Sequence, residues 1–442
     1  MAAAEATDDL EARLLALLDH LGIGRAHFAT QIPGDIAGLA SSHPGRFSGI
    51  VLCAPARLDP VPFAGMAERV LAISGEYGPT FDVVVRAAER LPAMRRHVID
   101  SYEAQGWSDI VRDHSGEIVA QLSGFLVQFP ADQPRVSTGE GSHAGISYRL
   151  EGTGPPLLLL PFFLAPSQWA PAIPALAQRF TVVTLGGRHL GGIAALEDRA
   201  RAPTYRAMFD ALIDQMAPRP GETILDVGCG AGSLDRQLAR RCSGRNPITA
   251  IDANPFWLKE AEALAVEDGL AQAVRFERGN AEALPFLDAA FDLAFSVTVL
   301  EECDADRAIG EMMRVVRPGG RVGVVVRAID LPQWWNLKLP EALRQKVTPP
   351  PQSVAASGVA DASLYRRMRQ AGLTDVIGYP YLITLDRPGG PIWRYREDHV
   401  LSLLSDDERA GWQAAREQAA TDGVLMSAHA LHCAVGTKPP VS

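Results

Sequence analysis

Apolar residues along this chain fall into short runs separated by stretches of helical period, the pattern of an α/β protein whose strands lie between layers of helices. The rhythm is strictest from Thr223 onward. Runs at ETILDV, PITAID, VRFERG, FDLAFSV and RVGVVVRA predict the strands of a doubly wound parallel sheet, with helices such as Ser233 to Arg241 and Pro255 to Asp268 between them. Two more strands are expected at Asp375 to Thr384 and Leu431 to Thr437, set apart by a helix around Asp406 to Ala420. Upstream, Ile146 to Leu150, Leu157 to Phe163 and Phe180 to Leu185 read as strands of an earlier α/β region. The N-terminal MAAAEATDDLEARLLALLDH reads as the start of an amphipathic helix. Pro130 to Gly145 and Ala217 to Gly221 read as linkers, and Val347 to Ala360, which lacks periodicity, as a lid or a disordered loop.

Composition narrows the function. A chain of 442 residues that is 47% hydrophobic buries a large core, and at roughly 150 residues per domain it divides into two or three. A net charge of -10 without a long Lys/Arg cluster argues against a nucleic-acid partner and favours small-molecule work. The longest apolar run, Pro155 to Pro166, is proline-interrupted and shorter than the roughly 20 residues that a membrane span takes. The acidic N-terminus does not read as a basic n-region followed by an apolar stretch, so export is not expected. Five scattered cysteines without C-x-x-C spacing indicate neither a disulfide framework nor a metal site, so a reducing cytoplasm is the expected location.

The strongest chemical signal is Leu225-Asp226-Val227-Gly228-Cys229-Gly230-Ala231-Gly232, an apolar strand that ends in an acid and runs into three glycines before a helix. Glycines there let the backbone approach a ligand that any Cβ would strike. The next strand ends in Asp252, twenty residues after Gly232 and placed to accept from two ribose hydroxyls. The third leads into Gly279-Asn280-Ala281-Glu282, where the Asn280 amide suits an adenine amine, and the fourth ends near Ser296 and Val297. Ser233 fills the place where the dinucleotide fingerprint wants its third glycine. Asp226 suits the amino group of a methionine moiety and would repel a pyrophosphate.

Taken in order, LDVGCGAG, AIDAN, GNAEALPF, FDLAFSVTVLEEC and EMMRVVRPGGRVGVVV resemble the motifs of class I S-adenosylmethionine-dependent methyltransferases, nearest to the ubiquinone/menaquinone C-methyltransferase-like group. The resemblance covers roughly Ala202 to Pro439. It implies S-adenosylmethionine as cofactor and a Rossmann-like seven-stranded sheet with an antiparallel last strand. Gly228, Gly230 and Gly232 would line the methionine and ribose, Asp252 hold the ribose, and Asn280, Ala281 and Val297 flank the adenine. Asn280 stands where the family usually has aspartate, and Cys303 where many members have histidine.

Methyl transfer from a sulfonium depends mainly on positioning and desolvation, and a base is needed only if the nucleophile must lose a proton. His429, His432 and Glu301 are candidates for such a base, each with the alternative of a packed or solvated side chain. Trp334 and Trp335, after the fifth strand, are candidate walls of an aromatic, apolar acceptor pocket, together with Tyr379, Tyr381, Trp393 and Tyr395. The alternative is ordinary packing.

The expected fold class is therefore α/β, with the methyltransferase domain over residues 196–442 and a second α/β domain over 1–195. Within the latter, Ile23 to Pro55, Arg69 to Gly78 and Gly106 to Leu126 resemble the second half of an α/β-hydrolase, while Gly145 to Gly192 resembles its beginning. A circular permutation explains that order. Thr30 stands at the nucleophile position, Gly78 at the acid, Trp107 at the histidine and Phe162 at the oxyanion-loop glycine, so the triad mechanism has lost its parts. The domain is read as a non-catalytic pocket cover or a dimer surface. The leading expectation is methyl transfer to a small aromatic or hydrophobic acceptor. A protein that holds S-adenosylmethionine or S-adenosylhomocysteine without transfer is the alternative, and a hydrolase acting through the N-terminal domain the third.

Overall fold

In the computed structural model the apolar runs become strands of two sheets, one in each of two units, Met1–Ala195 and Leu196–Ser442. The structure describes residues 10–105, 108–132, 138–350, 354–386 and 388–440.

The first unit contains β1 (Ala26–Thr30), β2 (Phe47–Cys53), β3 (Val70–Tyr77), β4 (Arg95–Glu103), β5 (Gly139–His143), β6 (Ile146–Glu151), β7 (Pro156–Leu159) and β8 (Thr181–Gly186). They lie in the order β4-β3-β2-β1-β7-β8-β6-β5. β1 to β4, β7 and β8 are parallel neighbours, whereas β6 runs against β8 and β5 against β6. β1 and β2 are buried at every residue because both sheet faces are covered. Their side chains alternate between two cores: Phe28, Ile50 and Leu52 point to one, Ala29, Val51 and Cys53 to the other. Part of the expected Pro130–Gly145 linker is the edge strand β5. Its backbone pairs with β6 despite a turn-like composition. The sequence also concealed β4, RRHVIDSYE, whose edge position leaves most of it exposed and polar.

The second unit contains β9 (Ile224–Val227), β10 (Ile248–Asp252), β11 (Val274–Arg278), β12 (Phe291–Val297), β13 (Val316–Arg327), β14 (Trp334–Trp335), β15 (Thr374–Leu385) and β16 (Ser427–Thr437). The order is β11-β10-β9-β12-β13-β16, with β16 antiparallel to β13 and paired along its length with β15. The two-residue β14, which pairs with the start of β16, makes eight strands where seven were expected. Helix Pro255–Glu267 starts where Asn254 accepts from the Phe256 N–H and Pro255 fixes the first turn. Helix Ala305–Val315 buries Ala305, Ala308, Ile309, Met312 and Val315, one face at helical spacing.

Ala217–Gly221 is a turn inside this unit, with Ala217 in the left-handed region closing helix Pro203–Met216, so it joins no domains. The division instead falls within helix Gly191–Arg201. Of the expected lid, residues 354–360 are fastened: Ala355 N–H donates to Glu301 O at 2.8 Å and Val359 N–H to Leu300 O at 2.9 Å. Among the described residues no helix is long and apolar enough to cross a membrane.

Winding reverses between β9 and β12, with β10 and β11 on one side and β12 and β13 on the other. A crevice at such a reversal, beyond the C-terminal strand ends, is where open α/β sheets bind ligands.

Candidate functional site

The glycine segment sits in that crevice. Gly228, Gly230 and Gly232 all have positive φ, of 86°, 54° and 70°. At Gly228 a Cβ would stand 2.2 Å from Val299 Cγ2, so the position excludes any side chain on steric grounds as well as conformational ones. The loop is pinned from both sides. Gly228 and Cys229 N–H donate to Ile251 O at 2.8 and 2.9 Å, and Arg236 Nη1 donates to Ala231 O at 2.7 Å. Arg236 is itself held, 2% exposed, by Glu197 and Asp268.

Asp252 lies directly across from the loop. Its Oδ2 accepts from Gly230 N–H at 2.9 Å and its Oδ1 from Asn254 N–H at 2.8 Å. Each oxygen keeps a lone pair for a further donor. Burial raises its pKa above the ordinary carboxylate value, a penalty that donors from a ligand would offset. Asn280 is exposed, its Oδ1 accepting from Glu282 N–H at 2.9 Å, and Ala281 is half-buried beside it. Val297 is buried at the end of β12, where Ser296 Oγ donates to Val227 O at 2.8 Å and ties that strand end to the glycine segment.

Asp226, 3% exposed, has a neighbour that the sequence reading missed, the fully buried Asp235 in the first turn of helix Ser233–Arg241. Neither Asp235 oxygen has a donor, and the two carboxyls can bond to each other only if one carries a proton. Burial, then mutual repulsion, holds Asp226 well above the ordinary range; burial pushes Asp235 up to about 7. Orphaned buried acceptors, three loop glycines at positive φ and a carboxylate with spare lone pairs together fit a cationic, ribose-bearing ligand. An ammonium group at Asp226 would supply the missing donors and charge.

The acid-base candidates separate. His429 is buried in β16, with Nε2 3.1 Å from Tyr205 Oη and Nδ1 without a partner. Burial, then the charges of Arg396, Arg327 and Arg199, depress its pKa well below the ordinary value, so the ring is neutral and a weak base. His432, three residues on, pairs with Asp330 at 2.8 Å. Glu301 is wholly buried and its Oε1 accepts from Arg327 N–H at 2.6 Å. Trp334 is 52% exposed. Trp335 instead packs edge-on against Trp393 and Trp412, at 5.2 and 5.0 Å between centroids, within the core. Cys303 is half-buried with burial raising its thiol to about 11.

A second group that the sequence reading missed surrounds His429. Arg199 Nη1 donates to Thr298 Oγ1 at 2.9 Å, Arg327 ends β13, and Arg396 projects from helix Pro391–Leu403. Thr298, which follows Val297, has φ of 58°, an unusual value for a β-branched residue and one that marks strain at the strand end. Among the described residues, no group of three or more His, Cys, Asp or Glu is placed to hold a metal ion.

In the first unit, Thr30 is not among the residues of positive φ, and its Oγ1 accepts from Ile32 N–H at 2.9 Å. The strained turn of a nucleophile elbow is missing there. Phe162 is buried against Trp169, and the following N–H, of Phe163, donates to Gln31 Oε1 at 2.9 Å. Gly78, with φ of 88°, precedes helix Pro79–Arg90. Trp107 lies outside the described residues.

Residues 225–324 match the model of a family described as methyltransferase domain. The ubiquinone/menaquinone biosynthesis C-methyltransferase of Brucella anthropi is 35% identical over 129 residues, 28% of this chain and 49% of that protein. The protein of the same name from Ruegeria sp. is 34% identical over 122 residues, 27% of this chain and 48% of its own. The chain thus spans about half the length of the curated relatives it matches. The YcgJ protein from Bacillus subtilis, a solved structure, is 21% identical with a TM-score of 0.37, over 53% of this chain and all of that one. The motif order of β9 to β13, the glycine loop and the family match have one common reading: the C-terminal unit carries a class I S-adenosylmethionine-dependent methyltransferase domain.

Proposed function

We propose that this chain transfers the methyl group of S-adenosylmethionine to a small aromatic or hydrophobic acceptor. Asp226, Gly228, Gly230, Gly232, Asp252, Asn280, Ala281 and Val297 form the cofactor site in this reading. The observation that carries it is the Asp252 carboxylate, fixed by two backbone N–H groups across from a loop whose three glycines have positive φ. The cofactor supplies a methyl group on a positively charged sulfur, ready to leave with its bonding electrons staying on that sulfur. The protein's part is to hold the cofactor's amine at Asp226 and its ribose at Asp252, and to exclude water. A neutral His429 hydrogen-bonded to Tyr205 stands nearest to a base, and its depressed pKa favours chemistry that rests on positioning.

The first unit is, in the same proposal, a permuted hydrolase-like domain without hydrolase chemistry. A central β1 whose neighbours come from both ends of the unit, and a Thr30 without elbow geometry, support it. A net charge of -10 speaks against a nucleic-acid partner, and five free cysteines suit a reducing cytoplasm.

Calorimetric titration of the full chain with S-adenosylmethionine tests the reading. Wild type should bind, and Asp252→Ala should lose about 1.5–3 kcal/mol, the scale of hydrogen bonds to a charged group. Folded wild-type protein that binds no cofactor overturns the proposal. Cofactor binding without methyl transfer to any phenolic or quinone-like acceptor would leave a binding protein in its place.

A further inference from the structure

Three arginines converge beyond the C-terminal ends of β12 and β13, and two of them, Arg199 and Arg396, lack the carboxylates that would ordinarily accompany them. Arg396 is 5% exposed, and its hydrogen-bond partner is the neutral Gln333 Oε1, at 3.3 Å. Arg199 donates to the neutral Thr298 hydroxyl and lies 5.7 Å from the centre of the Tyr205 ring. Among the described residues, neither has a carboxylate within 4 Å. Arg327 has two, both distant: Glu301 at 3.9 Å and the mostly exposed Glu302 at 3.7 Å. The nearer Glu301 oxygen is already occupied by the Arg327 backbone N–H. All three positive charges act on one ring, that of His429, which is neutral and cannot compensate them.

A buried guanidinium without a counter-charge is among the costliest arrangements a fold can keep. Here it occurs beside the strand ends where the acceptor must lie. A wholly neutral acceptor would leave that cost standing. The carboxylate of the cofactor itself can answer one charge at most, and Arg199, whose field reaches Asp226, is the candidate for it. Arg396 remains, and beside it Arg327, which Glu301 and Glu302 answer only from a distance.

We propose that the methyl acceptor carries an anionic oxygen group, a carboxylate or a phosphate, held by Arg396 and Arg327 beside the Tyr205–His429 pair. The inference rests on the methyltransferase reading and specifies the acceptor within it. An apolar body with one anionic end suits a site that sets the Tyr205 ring beside fixed guanidinium charges, a group that pairs with two oxygens at once.

The test is a titration of full-length protein saturated with S-adenosylhomocysteine, using four anions and their neutral counterparts. The pairs are 4-hydroxybenzoate and 4-hydroxybenzamide, octanoate and octanamide, phenyl phosphate and phenol, octyl phosphate and octanol. At least one anion should bind about tenfold or more tightly than its neutral partner, and the carboxylate and phosphate arms tell which group the site takes. Arg396→Gln should abolish that preference with S-adenosylhomocysteine affinity unchanged. Arg327→Gln, at a less buried position, should reduce it even if the first variant fails to fold. Equal binding of anions and neutral partners, or binding of none while S-adenosylhomocysteine still binds, overturns the inference and leaves the methyltransferase reading intact. Failure to bind S-adenosylhomocysteine removes that reading itself.

Discussion

Asp226 and Asp235 are buried beside each other and neither Asp235 oxygen has a donor, so the folded state favours a proton on one of the two carboxyls. A carboxyl whose folded pKa is raised contributes stability below its unfolded value, and that contribution is lost as pH rises through the folded one. The cofactor-free protein should therefore lose thermal stability between pH 5 and pH 8, around the value of about 7 to which Asp235 is pushed. Asp235→Asn should flatten the loss. Melting curves across that range decide it, and identical slopes for both proteins would remove the pair as the cause. Asp226 and Asp252 were legible in the sequence because each ends an apolar strand at a set distance from glycines. Asp235 was not, because an acid in a helix's first turn is ordinarily a solvated, dipole-matched residue. The arginines were hidden for another reason: nearly two hundred residues separate Arg199 from Arg396, and only the fold brings them to one place.

Among the elements, those with long apolar runs announced themselves, and those defined by a partner did not. β9, β10, β12 and β13 are largely buried and so are rich in Val, Ile, Leu, Phe and Ala. β4 and β5 exist because an edge accepts a polar backbone, and β14 because two residues meet the start of β16. The aromatic residues show the same dependence on context. Trp334 and Trp335 are adjacent and chemically identical, yet strand alternation turns one outward and the other into contact with Trp393 and Trp412. Trp412→Ala should cost about 3–5 kcal/mol in urea unfolding, the range for a fully buried large aromatic. Trp334→Ala should cost under about 0.5 kcal/mol, as at other exposed positions. Comparable losses would mean that the three rings do not form the packed unit described.

At the scale of the molecule, each unit has hydrophobic clusters of its own: two of residues from Leu10 to Leu190 in the first, and two of residues from Tyr205 to Val435 in the second. A fragment of residues 187–442, which keeps helix Gly191–Arg201 whole, should fold and bind S-adenosylhomocysteine within about threefold of the full chain, equivalent to under 1 kcal/mol. An unfolded fragment by circular dichroism would show that the cores are not self-sufficient. The full chain should also resist labelling by a fluorophosphonate, because Thr30 lacks the geometry of an activated nucleophile.

The position of β1 bears on how the polypeptide is made. β2 follows β1 closely along the chain, but the other neighbour of β1 is β7, where Ala29 pairs with Leu159. At about 5–20 residues per second, roughly 6 to 26 s of synthesis separate those partners. For that interval a strand destined for complete burial presents an open edge to every other nascent chain, which makes this half of the protein the one most dependent on chaperones.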